Sequence, residues 1–150
     1  MAEAVERTPF AVWASESSLA YPVANTAHVV GAIILVGAIG LLDLRLLGYA
    51  RGASLPVLAR ALTPLAASGF VLMVLSGAVL FAADARTLIV SSLFLIKLGL
   101  ILLAGLNALA FRAAFARRDE PLPGPAKGLA AASLGLWLGV VVAGRWIAYA

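Results

Sequence analysis

Four long stretches without formal charge constrain the fold more than any other feature of this chain. They cover residues 17–42, 61–83, 87–111 and 128–144, and Lys97 is the one charged residue inside them when His28 is counted as neutral. A helix needs about 20 apolar residues to cross the roughly 30 Å hydrocarbon core of a bilayer. The fourth stretch is the shortest, but its flanking Lys127 and Arg145 can extend their charged ends toward water. The stretches therefore predict four transmembrane helices.

Composition supports this prediction. Hydrophobic residues make up 63% of the 150 residues and charged residues 12%, whereas an average soluble domain has about 25% charged residues. No stretch alternates apolar and polar residues as the strands of a membrane barrel do. We therefore predict an all-α, polytopic membrane four-helix bundle, formed by residues 1–150 as a single domain, with spans at about 22–44, 63–83, 91–113 and 126–148.

Three segments outside the predicted spans have patterns of their own. Phe10 and Trp13 predict a short N-terminal helix at the membrane interface. Between residues 51 and 63, apolar side chains recur at i, i+3, i+4 and i+7, which predicts a surface helix before the second span. These side chains are Leu55, Leu58, Ala59 and Leu62. Residues 117–125 contain three prolines and predict a water-exposed loop.

The distribution of Lys and Arg predicts the orientation. The loops after the first and third spans contain seven such residues, namely Arg45, Arg51, Arg60, Arg112, Arg117, Arg118 and Lys127. The opposite side has four, namely Arg7, Arg86, Lys97 and Arg145. Because cytoplasmic loops carry the excess of Lys and Arg, we expect a bacterial inner-membrane protein with both termini in the periplasm. The net charge of +4 then reflects topology, and no nucleic-acid partner is expected.

Several classes of chemistry are excluded by residue counts. The chain has no Cys and one His, which excludes disulfides, thiolate nucleophiles, iron–sulfur clusters and covalently attached haem. A single His also excludes metal sites that need two histidines from one chain. No acidic residue lies in the middle of a span, so a proton pump or cation-coupled carrier lacks its usual group. We expect neither catalytic residues nor a metal site.

The chemical candidates are polar residues near the outer ends of the spans. His28, Asp84, Lys97 and Arg145 lie at similar depth on four different helices, with Met73 further inside. In one interpretation they form a hydrogen-bonded rim, in which Asp84 neutralises Lys97 or Arg145. In the other, His28, Met73, Lys97 and Arg145 hold a lipid headgroup, a quinone, or haem b with its iron on His28.

A second polar group lies toward the cytoplasmic ends. Asp43 and Arg45 follow the first span, and Asn107 and Arg112 end the third. Residues two apart do not face each other on a helix, so we expect Asp43 to pair with another helix, Arg112 being one option. With Asp84, these residues are interpreted as structural.

Small residues recur every four positions on the fourth span. The ladder consists of Ala131, Gly135, Gly139 and Ala143. Small residues allow close approach of helix backbones in membranes, so the ladder predicts either packing inside the bundle or docking of another protein. Trp137 lies nearly opposite, about 160° from Gly135 and Gly139. It is predicted to face lipid or a partner subunit.

Several blocks resemble a family of small bacterial membrane proteins of unknown function. They are Tyr-Pro at 21–22, His-Val-Val-Gly at 28–31, Asp-Leu-Arg-Leu-Leu-Gly at 43–48, Ser-Gly at 76–77, Leu-Phe-Ala-Ala-Asp-Ala at 80–85, Lys-Leu at 97–98 and Ala-Gly-Leu-Asn-Ala-Leu-Ala-Phe at 104–111. Members of that family often carry His after the last block, where this chain has Arg112. A more distant likeness is to copper-resistance and b-type cytochrome membrane proteins. The resemblance implies a small integral inner-membrane protein and no particular reaction.

Together these features predict a non-catalytic accessory or anchoring subunit of a larger inner-membrane assembly, of an electron-transfer or photosynthetic kind. Its expected partners are membrane lipids and other membrane subunits. The alternative is a stand-alone redox protein that binds haem or quinone through His28.

Overall fold

The computed structural model describes residues 6, 8–49, 52–115 and 123–149, and their regular structure is helical. Within these described residues, six helices follow one another. They are α1 (Pro9–Glu16), α2 (Ala20–Leu47), α3 (Leu55–Ala83), α4 (Ala85–Val90), α5 (Ser92–Phe115) and α6 (Gly124–Ile147). The predicted all-α fold class is confirmed. Most of the predicted loop at 117–125 lies outside the described residues.

The four long helices α2, α3, α5 and α6 are long and apolar enough to cross a membrane, so the chain is a multi-pass membrane protein. They contain 28, 29, 24 and 24 residues. At 1.5 Å per residue these lengths are about 36–43 Å, which exceeds a hydrocarbon core of about 30 Å. The helices therefore tilt or extend beyond the core at their ends.

The closest helix contact lies between α2 and α3, where Gly31 and Gly69 face each other. A Cβ atom built on Gly69 would lie 2.7 Å from the backbone nitrogen of Leu35 and 2.8 Å from the carbonyl oxygen of Gly31. A Cβ atom on Gly31 would lie 2.9 Å from the carbonyl oxygen of Gly69. The two backbones approach this closely because neither residue has a side chain.

The connection between α2 and α3 is built by the local sequence. Gly48 ends α2 in the left-handed conformation, with φ of 107°, which glycine adopts without steric cost. The backbone N–H of Tyr49 then donates to the carbonyl of Leu44, as at many helix ends. Arg45 Nε donates to the carbonyl of Ala53 at 2.7 Å, which ties the end of α2 to the start of α3.

Helix α2 lies between α3 and α6, and α5 packs along α6. The main core forms where these helices meet. Its buried residues are Leu35, Ala38, Ala66, Met73, Ala104, Trp137 and Val140. Phe81 near the end of α3 stacks on Phe94 of α5, with ring centroids 5.7 Å apart, so these helices also touch at the outer side.

The N-terminal helix exists where it was predicted. Thr8 caps α1 by accepting a hydrogen bond from the backbone N–H of Ala11 at 3.3 Å. Ala11 and Ala14 are buried against Ala82 at the end of α3, whereas Phe10 and Trp13 are exposed. The short helix α4, which follows α3, was not anticipated.

The prediction of a separate surface helix before the second span is wrong. Helix α3 runs without interruption from Leu55 to Ala83 and contains Pro64. The apolar stripe predicted to lie on the membrane continues the packing face of the span instead, since its last member, Leu62, packs against the main core. Apolar residues at this spacing look the same in the sequence whether the stripe faces lipid or another helix. Here helix α2 is long enough to pack along the stripe.

The predicted orientation of α6 is also wrong. Trp137 is 7% exposed and belongs to the main core, whereas Ala131 and Gly135 of the ladder are exposed. Ala143 is buried and Gly139 is half-buried. The indole ring shares this core cluster with Ala38 of α2 and Ala104 of α5. The predicted ladder is thus an outer surface of the bundle at Ala131 and Gly135 and packs inside it at Gly139 and Ala143.

Candidate functional site

Three polar side chains from three different helices meet in the half of the bundle against which the N-terminal helix α1 packs. His28 Nδ1 of α2 lies 3.1 Å from Ser76 Oγ of α3. His28 Nε2 lies 3.4 Å from Lys97 Nζ of α5. We call these three residues the polar cluster. Sequence reasoning placed His28 and Lys97 at a common depth, and the structure brings them into contact.

The hydrogen bonds assign the direction of each donor. The Ser76 hydroxyl donates its proton to the carbonyl of Leu72 at 2.6 Å. The Ser76 oxygen is therefore the acceptor toward His28. The ring proton of His28 then lies on Nδ1. The Nε2 atom then carries the lone pair and accepts from the Lys97 ammonium group, which can only donate. The ring tautomer is inferred from this network. Ser76 therefore orients the histidine, and the histidine orients the lysine.

Two glycines make room for the polar cluster. A Cβ atom on Gly77 would lie 3.2 Å from Cε1 of the His28 ring. A Cβ atom on Gly144 of α6 would lie 3.3 Å from Lys97 Nζ. All four long helices thus contribute to the site. Ser76 and these glycines were not recognised as partners, because the residues they accommodate lie on other helices.

The polar cluster is set into the spans and does not lie at their ends. His28 is eight residues from the start of α2 and Ser76 seven from the end of α3, which correspond to about 12 and 10 Å along the helix axis. Lys97 is five residues from the start of α5, or about 8 Å. His28 and Lys97 remain partly exposed, while Ser76 is buried.

Three residues expected at this site lie elsewhere. Met73 is buried in the main core, and its Cγ would lie 3.0 Å from a Cβ atom on Gly31. The Arg145 guanidinium donates to the Tyr149 hydroxyl and stands over its ring. Asp84 is exposed and forms no ion pair with Lys97 among the described residues. It forms no ion pair with Arg145 in this part of the chain either, so the expected neutralisation of Lys97 or Arg145 by Asp84 is wrong.

The polar cluster does not fit a haem iron. Both ring nitrogens of His28 are engaged by protein groups, and the Nε2 lone pair that would bind iron faces the ammonium group of Lys97. Met73, the proposed second ligand, packs inside the core. What the cluster does present is an ammonium group held in a fixed place on a largely apolar surface, which suits an oxygen acceptor with negative charge.

At the opposite end of the bundle, Asp43 is buried between α2 and α6. Asp43 is 6% exposed, and the hydroxyl of Ser133 on α6 donates to the Asp43 carboxyl group. The other carboxyl oxygen, Oδ2, has no hydrogen-bond partner among the described residues. Arg112 is exposed, so the suggested pairing of Asp43 with it is wrong. Asp43 does contact another helix, through a serine that the sequence did not single out.

Asn107 connects the two last helices on the same side. Its side-chain Nδ2 donates to the carbonyl of Leu129 on α6 at 3.0 Å. The contact fixes the inner part of α5 against α6, which agrees with a structural role.

Comparison with known protein families, with curated proteins and with solved structures gives no match to this chain.

Proposed function

We propose that this protein is a non-catalytic accessory or anchoring subunit of a larger inner-membrane assembly, which it joins through the outer face of α6. The observation that carries the proposal is a row of small residues with nothing packed on it. A Cβ atom on Gly128 or Gly135 would meet no atom of the described residues within 4 Å. Ala131 and Ala132 between them are exposed.

Small residues are not the expected choice at positions of a membrane helix that face lipid. Lipid chains are as apolar as leucine side chains, so a leucine would suit a lipid-facing position at least as well. Glycine and alanine instead allow another backbone to approach closely, and dispersion contacts between close helices then drive association. The partner implied by this chemistry is an apolar transmembrane helix of another protein.

The inward position of Trp137 strengthens the proposal. With its Trp137 face packed in the core, α6 turns Gly135 away from α2 and toward the surroundings. Ala131 and Gly135 are therefore exposed. Ala143 is buried and a Cβ atom on Gly139 would lie 3.3 Å from Leu100 of α5, so the second half of the ladder packs within the chain.

A Gly135→Leu substitution should release the protein from its assembly and leave the isolated protein as stable as before. No atom of the described residues lies within 4 Å of the Gly135 Cβ position, but the added side chain blocks close approach of a second helix. Co-purification of the tagged protein from solubilised membranes measures the first effect, and thermal unfolding in mild detergent measures the second.

The matched control is Gly105→Leu, because Gly105 on α5 is also exposed with nothing within 4 Å of its Cβ position. This variant should retain the partner. If Gly135→Leu keeps its partner, or if both variants lose it equally, the outer face of α6 is not the docking surface.

We infer from the distribution of Lys and Arg that both termini are periplasmic. A reporter fused after residue 150 should be active in the periplasm, and one inserted next to Pro123 should be active in the cytoplasm. Paired fusions of a phosphatase and a fluorescent protein at each position measure this. A reporter at Pro123 that is reached from outside would reverse the orientation.

A further inference from the structure

We propose that the polar cluster of His28, Ser76 and Lys97 binds the anionic phosphate headgroup of a phospholipid in the outer leaflet. The site is separate from the outer face of α6. Lipid binding and docking can therefore succeed or fail independently.

The charge of Lys97 favours an anionic ligand. The ammonium group of Lys97 lies inside a span. Its hydrogen-bond acceptor in the protein is the neutral His28 Nε2 atom, at 3.4 Å. Among the described residues no carboxylate lies within ion-pair distance of it, and the ion pair on this side joins Glu6 and Arg86. Ionisable groups inside membrane spans are costly and normally have a counter-charge or a function. An anionic ligand supplies that counter-charge.

The direction of the Lys97 side chain also favours a binding role. Lysines near helix ends usually extend toward the interface, but Lys97 lies across Gly144 and points to His28. His28 is itself held by Ser76. His28 and Ser76 are thus positioning residues, and Lys97 is the binding residue. An ammonium group has three N–H donors, and two remain after the contact with His28.

The depth of Lys97 in the membrane favours a lipid as the ligand. Helix α5 is 24 residues long, about 36 Å, so it exceeds a 30 Å core by about 3 Å at each end if centred. Lys97 then lies about 5 Å below the hydrocarbon boundary. The contact with His28 holds its ammonium group close to that depth, just below the headgroup region in which the phosphate of a lipid lies. The surrounding surface is apolar, with Leu98 and Ile96 exposed beside Lys97, which favours an amphiphile over a soluble anion.

The test compares the wild type with Lys97→Met, which keeps the length of the side chain and removes its charge. Each protein is purified in mild detergent and titrated with phosphatidylglycerol, with zwitterionic phosphatidylethanolamine, with a neutral short-chain quinone, and with inorganic phosphate alone. Bound ligand is counted by native mass spectrometry, and thermal unfolding is followed in parallel. Lys127→Met on the inner side and Lys97→Arg serve as controls.

We expect saturable binding of phosphatidylglycerol to the wild type, a loss of at least tenfold in affinity in Lys97→Met, and retention in Lys127→Met and Lys97→Arg. Binding of inorganic phosphate that is lost in Lys97→Met also supports the anion site, but assigns it to a soluble anion. Equal binding of phosphatidylglycerol by the wild type and Lys97→Met overturns the proposal. So does a preference for phosphatidylethanolamine or quinone over phosphatidylglycerol. Because Lys97→Met removes an unbalanced charge, this variant should fold at least as well as the wild type.

Discussion

Replacing Trp137 by alanine should lower the free energy of unfolding by about 3–5 kcal/mol, the range for truncation of a buried aromatic residue. Trp137 is the largest side chain in the main core, and its removal leaves a cavity among helices α2, α5 and α6. In a membrane the lost term is mainly dispersion between packed side chains, since lipid offers no hydrophobic driving force for burial.

The matched control is Trp146→Ala, which removes the same side chain where it is 63% exposed. Unfolding of both variants by denaturing detergent in mixed micelles gives the two free energies. Trp146→Ala should change the free energy little. Equal effects of the two substitutions would mean that Trp137 is not packed inside the bundle.

A Gly69→Ala substitution should destabilise the protein by about 1–3 kcal/mol, as overpacking does, although it adds one methyl group. The new Cβ atom would lie 2.7 Å from the Leu35 nitrogen and 2.8 Å from the Gly31 oxygen. Both atoms belong to the backbone of α2, so a side-chain rotation cannot relieve the clash. Helices α2 and α3 must move apart instead.

Gly105→Ala provides the opposite expectation. Nothing lies within 4 Å of its Cβ position, and alanine favours a helix over glycine by up to about 1 kcal/mol. The same unfolding assay should thus give changes of opposite sign for the two glycine substitutions. A Gly69→Ala protein as stable as Gly105→Ala would show that α2 and α3 do not cross at these glycines.

The number and placement of the long helices were predictable because they depend on one strong signal. A run of apolar residues long enough for a bilayer leaves few other structures open to the chain. The third predicted span, at about 91–113, and the observed helix Ser92–Phe115 differ by two residues at most. The start of α3 was not predictable in this way, since Leu55 to Leu62 can face lipid or helix with the same spacing.

The orientation of α6 could not be predicted from its pattern. In a soluble helix the polar face identifies the surface, but both faces of a membrane helix are apolar. The ladder through Gly135 was predicted to be a face for packing or docking, and Trp137 to face lipid or a partner. In the structure Trp137 lies in the core, whereas Ala131 and Gly135 are exposed. The residues that surround Trp137 in the core belong to other helices and are distant in sequence.

The candidate site was predicted in part. Charge and depth singled out His28 and Lys97, since ionisable residues are rare in spans. Ser76 and Gly144 complete the site through contacts across helices, and no local pattern marks them. The family resemblance, which rests on short blocks between residues 21 and 111, stays a prediction.

Position-specific crosslinking in living cells tests the central claim, that the outer face of α6 docks another membrane protein. A photoreactive amino acid is placed in turn at Ala131, Gly135 and Leu138 on this face, and at Leu103 on α5 as a control. We expect one adduct with the same foreign membrane protein from the three α6 positions and none from Leu103. Adducts with lipid alone, with a second copy of this chain, or equally from Leu103 would contradict it.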